Sequence, residues 1–503
     1  MPKIDSDQTP APASDDEVKF LPPPIHWSEK VVLAIVSIHL IYLPWALGAM
    51  HLGAQKVSLV LGGVGFLAAL FLNPPSTIVV PKIPAWKKLL KSSIFWLGLV
   101  ILGYIFIQAV NPSHRAVDLG GEFWMVPVDH ITWLPTGMEA PFEKVNAHRR
   151  LMVFASVFLT IWTIVLFIER PKSIRFLLWV LVFNGVGLAI LAFGQLFTGA
   201  EKIFWKIPSA SENFYSSFIY RNHATGYLNL LLACSTGLYF FFRERAWKTN
   251  ESEPDKSPIF FFTSTILFTT VLFSGSRGGI IVAALLLLLA ILYTMLQAWR
   301  WDRLRETSVI SAILLGMLVL FASVFTVMIG PERIIERFKH FTEDGGGTSV
   351  EHRILAAKAT RDMFEDKWLY GWGAGSFEYV FPAYQSEYPE IDYREVGRNK
   401  RRIYFTWEFA HNDWVQYPAE YGVVGTGLFF AGIIGWLIGL FRFRGLRRPL
   451  AVWMGIGILA TFGHAVGEFV LQNPAIILTT ASFFALSYRY VELENLRRIR
   501  RKR

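Results

Sequence analysis

The chain has 503 residues, of which 53% are hydrophobic, 15% aromatic and only 17% charged. This composition holds more apolar surface than the core of a soluble protein can bury, so it excludes a soluble globular fold and indicates an integral membrane protein. The 49 Lys and Arg outnumber the 39 Asp and Glu, for a net charge of +10. In a membrane protein such an excess is typical of cytoplasmic loops rather than of nucleic-acid binding.

The N-terminal residues 1–29 are rich in Pro, Asp and Ser and lack the basic start and apolar stretch of a cleaved signal peptide. We expect a disordered cytoplasmic tail there. The single cysteine, Cys234, lies in an apolar run. One thiol can form neither an intramolecular disulfide nor a cysteine-based zinc site, so Cys234 is expected to contribute to packing.

Apolar runs that can cross a hydrocarbon layer of about 30 Å follow the tail. They lie near residues 31–50, 57–72, 93–110, 150–168, 175–197, 222–242, 259–274, 278–299, 307–329, 414–440, 450–468 and 473–490. These runs predict an all-α integral membrane protein with about twelve transmembrane helices. Nine helices fall in residues 30–329 and three in residues 412–490, and a basic cytoplasmic tail occupies residues 491–503.

Basic residues cluster at alternate ends of these runs, and positive charge resists translocation. The clusters are Lys82, Lys87, Lys88 and Lys91; Arg170, Lys172 and Arg175; Arg243, Arg245 and Lys248; Arg300, Arg303 and Arg305; and Arg442, Arg444, Arg447 and Arg448. Both termini are therefore predicted to be cytoplasmic, although Arg149 and Arg150 lie on the opposite side.

Residues 330–411 form the longest predicted loop, on the periplasmic side by this orientation. A connection of this length is usually functional or disordered. Helical spacing over Val350 to Phe364 predicts that it is partly helical. The aromatic residues after it, from Trp368 to Tyr384, fit equally well with stacking on sugars and with packing onto the membrane surface.

The segment Ser274-Gly275-Ser276-Arg277-Gly278-Gly279 stands where an outer turn enters a helix. Small residues leave backbone N–H groups open, a helix N-terminus is partly positive, and a guanidinium group matches phosphate oxygens. The pattern favours a diphosphate site, and a tight hairpin with an arginine reaching toward lipid headgroups is an equal alternative.

Two further segments carry candidate groups at the same predicted depth. Arg221, in Tyr220-Arg221-Asn222-His223, begins another helix, and either joins Arg277 on one anion or anchors its own helix. His411 stands where the long loop re-enters the membrane, where a lone histidine is usually structural, although a histidine can also remove a proton at neutral pH. Glu420 follows nine residues later, about half a helical turn out of phase, with Pro418 expected to kink the segment. We therefore do not expect Glu420 to orient His411.

Weaker candidates complete the set. Arg353 opens the loop helix and could contact a phosphate or a sugar, although an exposed salt bridge with Glu351 or Asp366 is the commoner outcome. His464 and Glu468 are spaced i, i+4 and could share a helical face. A metal site built on that pair would need further ligands, and the sequence nominates none.

In their order along the chain, these motifs resemble the O-antigen ligase and O-antigen polymerase superfamily of bacterial membrane glycosyltransferases. The resemblance covers about residues 215–440, and the preceding third matches only in hydropathy. It is carried by Arg221, Ser276 to Gly279, Arg353, Asp366, Gly371 to Phe377, His411-Asn412, Glu420, Gly422 and Gly425.

The resemblance implies a GT-C-like enzyme of the bacterial inner membrane whose active site faces the periplasm. Such an enzyme transfers a glycan from undecaprenyl diphosphate to an acceptor hydroxyl, without a metal or other cofactor and with inversion at the anomeric carbon. By the same resemblance Arg221 and Arg277 bind the diphosphate and His411 is the general base. Arg353 and Glu420 are secondary candidates.

The acceptor stays open between the lipid A core for a ligase, another glycan for a polymerase and a protein hydroxyl for an oligosaccharyltransferase. The single large loop and the helix count favour the ligase. From other classes, a lipid-linked-sugar transporter would place charges on both sides of a central path, and an assembly scaffold would tolerate His411→Ala. Membrane lipids are expected partners, and nucleic acids are not.

Overall fold

The chain is mostly helical in a computed structural model that describes residues 25–72, 84–119, 122–211, 213–248, 254–300, 316, 346–396 and 401–500. The helices in these ranges are α1 (Trp27–Trp45), α2 (Leu52–Phe71), α3 (Ala85–Leu90), α4 (Ser93–Val110), α5 (Ala147–Phe167), α6 (Pro171–Phe197), α7 (Arg221–Lys248), α8 (Ser257–Phe273), α9 (Arg277–Arg300), α10 (Gly346–Asp366), α11 (Phe377–Gln385), α12 (Pro389–Asp392), α13 (Asp413–Arg442), α14 (Pro449–His464) and α15 (Pro474–Arg500).

Eight helices within the described ranges are long and apolar enough to cross a membrane, namely α1, α2, α4, α5, α6, α7, α9 and α13. Two more, α8 and α14, are apolar but shorter. With α15, these helices coincide with eleven of the twelve predicted runs. The remaining run, near residues 307–329, lies outside the described residues except for residue 316. The protein is a helical, multi-pass membrane protein.

Helices extend into the described part of both ranges predicted as tails. α1 begins at Trp27, inside the predicted tail, and Glu29 in its first turn is buried. The Glu29 carboxylate accepts a hydrogen bond of 2.6 Å from Ser173 and lies 3.4 Å from Arg170 Nε. At the other end, α15 continues to Arg500, well into the second predicted tail.

α7 lies at the centre of the bundle, with α8, α9 and α14 packed against it. Glycines allow these close approaches: a Cβ added at Gly237 of α7 would lie only 2.7 Å from the Cβ of Trp453 on α14. One added at Gly279 of α9 would clash with the Thr225 side chain of α7. In lipid, helices associate through such close packing because the solvent is as apolar as the side chains.

Short strands accompany the helices at the end of the bundle where α7, α9 and α13 begin, which we call the loop face. Strands β1 (Pro112–Leu119), β2 (Glu122–Pro127) and β3 (Gly137–Glu139) form a sheet in the order β2-β1-β3, and β4 (Tyr393–Val396) pairs with β5 (Arg401–Tyr404). These strands are not predicted from the sequence. The predicted loop helix is present as α10, which begins at Gly346 and extends to Asp366.

A backbone junction fixes the loop residues that follow α10 to a break in α13. The break lies at Gly422, whose φ is +63° and ψ −175°, rather than at Pro418 as predicted. The N–H groups of Trp372 and Gly373 donate to the carbonyls of Ala419 and Glu420, at 2.9 and 2.8 Å. A Cβ at Gly371 would lie 2.5 Å from the Glu420 carbonyl carbon, so the glycine-rich motif serves close backbone contact here.

Candidate functional site

A cavity of about 690 Å³, which we call the cationic cavity, lies between α9 and α14 at the loop face. Its charged lining residues are Arg221, Arg277, Arg353 and Glu468, for a formal net charge of +2. The rest of its wall is mainly apolar and includes Ile281, Leu285, Leu289, Ile456, Leu459 and Ala460. Since a helix rises about 1.5 Å per residue, the wall from Arg277 to Leu289 extends about 18 Å along α9.

The Ser-Arg-Gly-Gly turn holds the first turn of α9 against the first turn of α7. Ser276 Oγ donates to Asn222 Oδ1 at 2.7 Å and accepts from the Gly279 N–H at 3.2 Å. Gly275 takes a left-handed φ of +68°, which a residue with a Cβ adopts less readily. The turn therefore brings Arg277 to the same cavity as Arg221, although the two lie on nonadjacent predicted helices.

Glu468 joins the groups around the charged end of the cavity. Its Oε1 accepts from Asn222 Nδ2 at 2.6 Å and lies 2.8 Å from Arg353 Nη1, while its Oε2 lies 3.4 Å from His411 Nδ1. Burial raises the pKa of Glu468, but the hydrogen bond to His411 and the positive charge of Arg353 outweigh it and hold the pKa at about 2. The carboxylate is therefore ionised at neutral pH.

His411 is positioned by the loop that leads into α13. It adopts a left-handed φ of +52°, which is uncommon outside glycine. Its ring packs edge-on against Phe469, with centroids 4.7 Å apart, and against Trp407 at 5.8 Å. Asn412 caps α13 by accepting from the Trp414 N–H at 3.0 Å. His411 does not line the cationic cavity, but it contacts Glu468, which does.

Arg353 reaches the cavity from the loop helix α10. Besides Glu468, its Nη1 donates to the Gly467 carbonyl at 2.9 Å. The sequence favours Glu351 or Asp366 as the salt-bridge partner of Arg353. The partner is instead Glu468, which is distant in sequence, and the bridge lies at the cavity rather than on an exposed surface.

Glu420 does not line the cationic cavity. Its side chain is buried, and its carboxylate accepts from the Gly375 N–H at 3.0 Å and from Gln416 Nε2 at 2.9 Å. It therefore belongs to the backbone junction of α13. As the helical phase predicted, the carboxylate beside His411 is not that of Glu420.

The sequence offers His464 and Glu468 only as a weak pair and does not indicate Asn222 as a site residue. His464 and Glu468 do not share a helical face, the possibility that their i, i+4 spacing offers, because α14 ends at His464 and Glu468 lies beyond it. The sequence signal that could have indicated His464 and Glu468 is that ionisable residues near membrane depth are costly and often functional. Within the described ranges no group of three or more His, Cys, Asp or Glu could hold a metal ion.

Two comparisons with known proteins bear on this site. No curated protein matches the chain. Residues 262–430 match the sequence model of the O-antigen ligase family, Wzy_C, a segment that contains Arg277, Arg353 and His411. The chain therefore carries an O-antigen ligase family domain over residues 262–430.

Proposed function

We propose that the protein is a membrane glycosyltransferase of the O-antigen ligase type. It moves a glycan from undecaprenyl diphosphate to an acceptor hydroxyl, with the lipid A core as the favoured acceptor. The observation that carries the proposal is that Arg221, Arg277 and Arg353, from three separate segments, line one cavity with an otherwise largely apolar wall. A lipid-linked diphosphate has the matching parts, because its phosphate groups are anionic and its lipid chain is apolar.

The charges of the cationic cavity match those of the proposed donor. The formal net charge of +2 on its lining complements one negative charge on each phosphate group. Arginine forms paired hydrogen bonds with phosphate oxygens, and the positive N-termini of α7 and α9 lie beside them. The apolar wall along α9 and α14 suits the first isoprene units of the carrier.

The chemical step follows from the position of His411. Its Nδ1 faces Glu468, so its Nε2 is the nitrogen that takes the proton from the acceptor hydroxyl. The hydroxyl oxygen then forms a bond to the anomeric carbon while the bond from that carbon to the phosphate oxygen breaks. The electron pair leaves with the diphosphate, whose growing charge the three arginines stabilise, and attack opposite the leaving group inverts the anomeric carbon. These guanidinium groups supply the positive charge, so the proposed mechanism uses no metal ion.

The distribution of charge supports a periplasmic active site in the bacterial inner membrane. α7 and α9 begin at the cationic cavity and end at Lys248 and Arg300, and α13 likewise ends at Arg442. Basic residues at helix ends favour the cytoplasm. The loop face then lies on the periplasmic side, and the clustering of the candidate groups at that face favours an enzyme over a transporter with charges along a central path.

Complementation of a host that lacks its own ligase tests the proposal. The host receives wild type, Arg277→Ala or the matched control Arg300→Ala, at the other end of the same helix, and surface polysaccharide is separated as a ladder. We expect wild type and Arg300→Ala to attach polymer to the lipid A core, and Arg277→Ala to leave polymer on the carrier.

The ladder also distinguishes the alternatives. A polymerase would leave single repeat units when it is inactive, and a protein oligosaccharyltransferase would restore neither pattern. Full transfer by normally expressed Arg221→Ala, Arg277→Ala and His411→Ala would refute the assignment of the site.

A further inference from the structure

His464 has an unusual position in the cationic cavity. It is the last residue of α14, only 4% of its surface is exposed, and it lines the cavity. Neither ring nitrogen has a hydrogen-bond partner among the described residues. Buried polar atoms are nearly always hydrogen-bonded, so a ring with two unpaired nitrogens at a cavity wall indicates a missing ligand.

Glycines on two other helices make room for this ring. A Cβ at Gly278, in the first turn of α9, would lie 3.0 Å from His464 Nε2. A Cβ at Gly226 of α7 would lie 3.5 Å from Nδ1. The Nε2 side of the imidazole thus faces the helix N-terminus that carries Arg277, where an anion would be held.

An imidazole adds a type of contact that the arginines do not. In its neutral form it has one N–H donor and one acceptor nitrogen, so it can donate to a phosphate oxygen without adding charge to the cavity. Its short, packed side chain also loses little freedom on binding, in contrast to the long side chain of Arg277.

We propose that His464 is a binding residue for the diphosphate and donates a hydrogen bond from Nε2 to a phosphate oxygen. The proposal rests on the proposed function, since it extends the diphosphate site of the donor beyond the three arginines.

Equilibrium binding of farnesyl diphosphate to the purified full-length protein in detergent tests this assignment. A hydrogen bond to a charged group is worth roughly a factor of ten or more in affinity. We expect His464→Leu to raise the Kd about tenfold at an unchanged Tm, and His464→Gln, which keeps an N–H donor, to recover most of the affinity.

A second pair of variants leaves the ring in place and changes its surroundings. Gly278→Ala should raise the Kd because the new methyl group displaces the imidazole. The control Gly427→Ala, where an added Cβ meets nothing within 4 Å, should not.

The outcomes separate this inference from the proposed function. If Arg277→Ala weakens binding while His464→Leu binds like wild type, His464 is only a packing residue and the inference is wrong. If Arg277→Ala and His464→Leu both bind like wild type, the cavity is not a diphosphate site and the proposed function fails with it.

Discussion

The carboxylate of Glu468 lies 3.4 Å from Nδ1 of His411, although the two residues are 57 positions apart. The same carboxylate also lies 2.8 Å from Arg353 Nη1. One buried acid therefore connects the proposed base to a proposed diphosphate ligand. In the proposed mechanism, Glu468 thus contacts both the group that removes the proton and a group that binds the diphosphate, although it touches neither the acceptor nor the glycan.

Replacement of Glu468 by Gln should slow the chemical step on the order of 10²-fold, because the imidazole loses the anion that orients it and stabilises its protonated form. We expect kcat to fall more than KM for the donor rises. The measurement is steady-state transfer at several pH values. An unchanged kcat and an unchanged pH profile would mean that Glu468 has no part in positioning His411.

The pKa of Glu468 also predicts how stability depends on pH. Because the folded pKa is held at about 2, below the ordinary 4.5, the ionised group stabilises the protein above pH 4.5, and this stabilisation is lost as the pH falls toward 2. The Tm difference between wild type and Glu468→Gln should therefore be constant near neutral pH and shrink in acid. A difference that grows with acidity would contradict the assignment.

Arg353→Ala should reduce transfer on the order of 10²-fold, since it removes a cation from the site of developing charge. Arg361 offers a matched control, because it lies on the same helix and pairs with Glu365 in an exposed salt bridge of 2.8 Å. Arg361→Ala should transfer at the wild-type rate. Equal losses in the two variants would point to damage to α10 rather than to a role for Arg353.

Glu420→Gln should destabilise the fold more than it slows the reaction of the folded protein. Its carboxylate is buried and accepts the Gly375 N–H, and a weakened buried hydrogen bond costs about 1–3 kcal/mol. Thermal unfolding in detergent and transfer per folded molecule should be measured together. A large loss of transfer at an unchanged Tm would instead indicate that Glu420 takes part in the reaction.

The sequence predicted the membrane helices because apolar runs carry that information locally. α8 and α14 coincide with predicted runs, and helical spacing predicted α10 to within a few residues. The strands β1 to β5 could not be predicted because they are short and partly polar. The break at Gly422 could not be predicted from the local sequence, because it depends on loop residues from elsewhere in the chain that pack against α13.

The candidate site could be predicted residue by residue but not as an arrangement. Arg221, Arg277 and His411 stood out because charged or titratable groups at helix ends in a membrane are costly. Their common location at one cavity depends on the packing of α7 against α9 and α14, which spacing along the chain does not encode. For the same reason, spacing offers His464 as a neighbour of Glu468, whereas the folded chain also places His411 beside it.

The most direct test of the central claim is transfer by the purified protein from an undecaprenyl diphosphate-linked glycan to a lipid A core acceptor, with release of undecaprenyl diphosphate as the readout. We predict that wild type and Arg300→Ala release one carrier for each glycan transferred. Arg277→Ala and His411→Ala should lose on the order of 10²-fold or more in rate. Transfer at the wild-type rate by both of these variants would contradict the account.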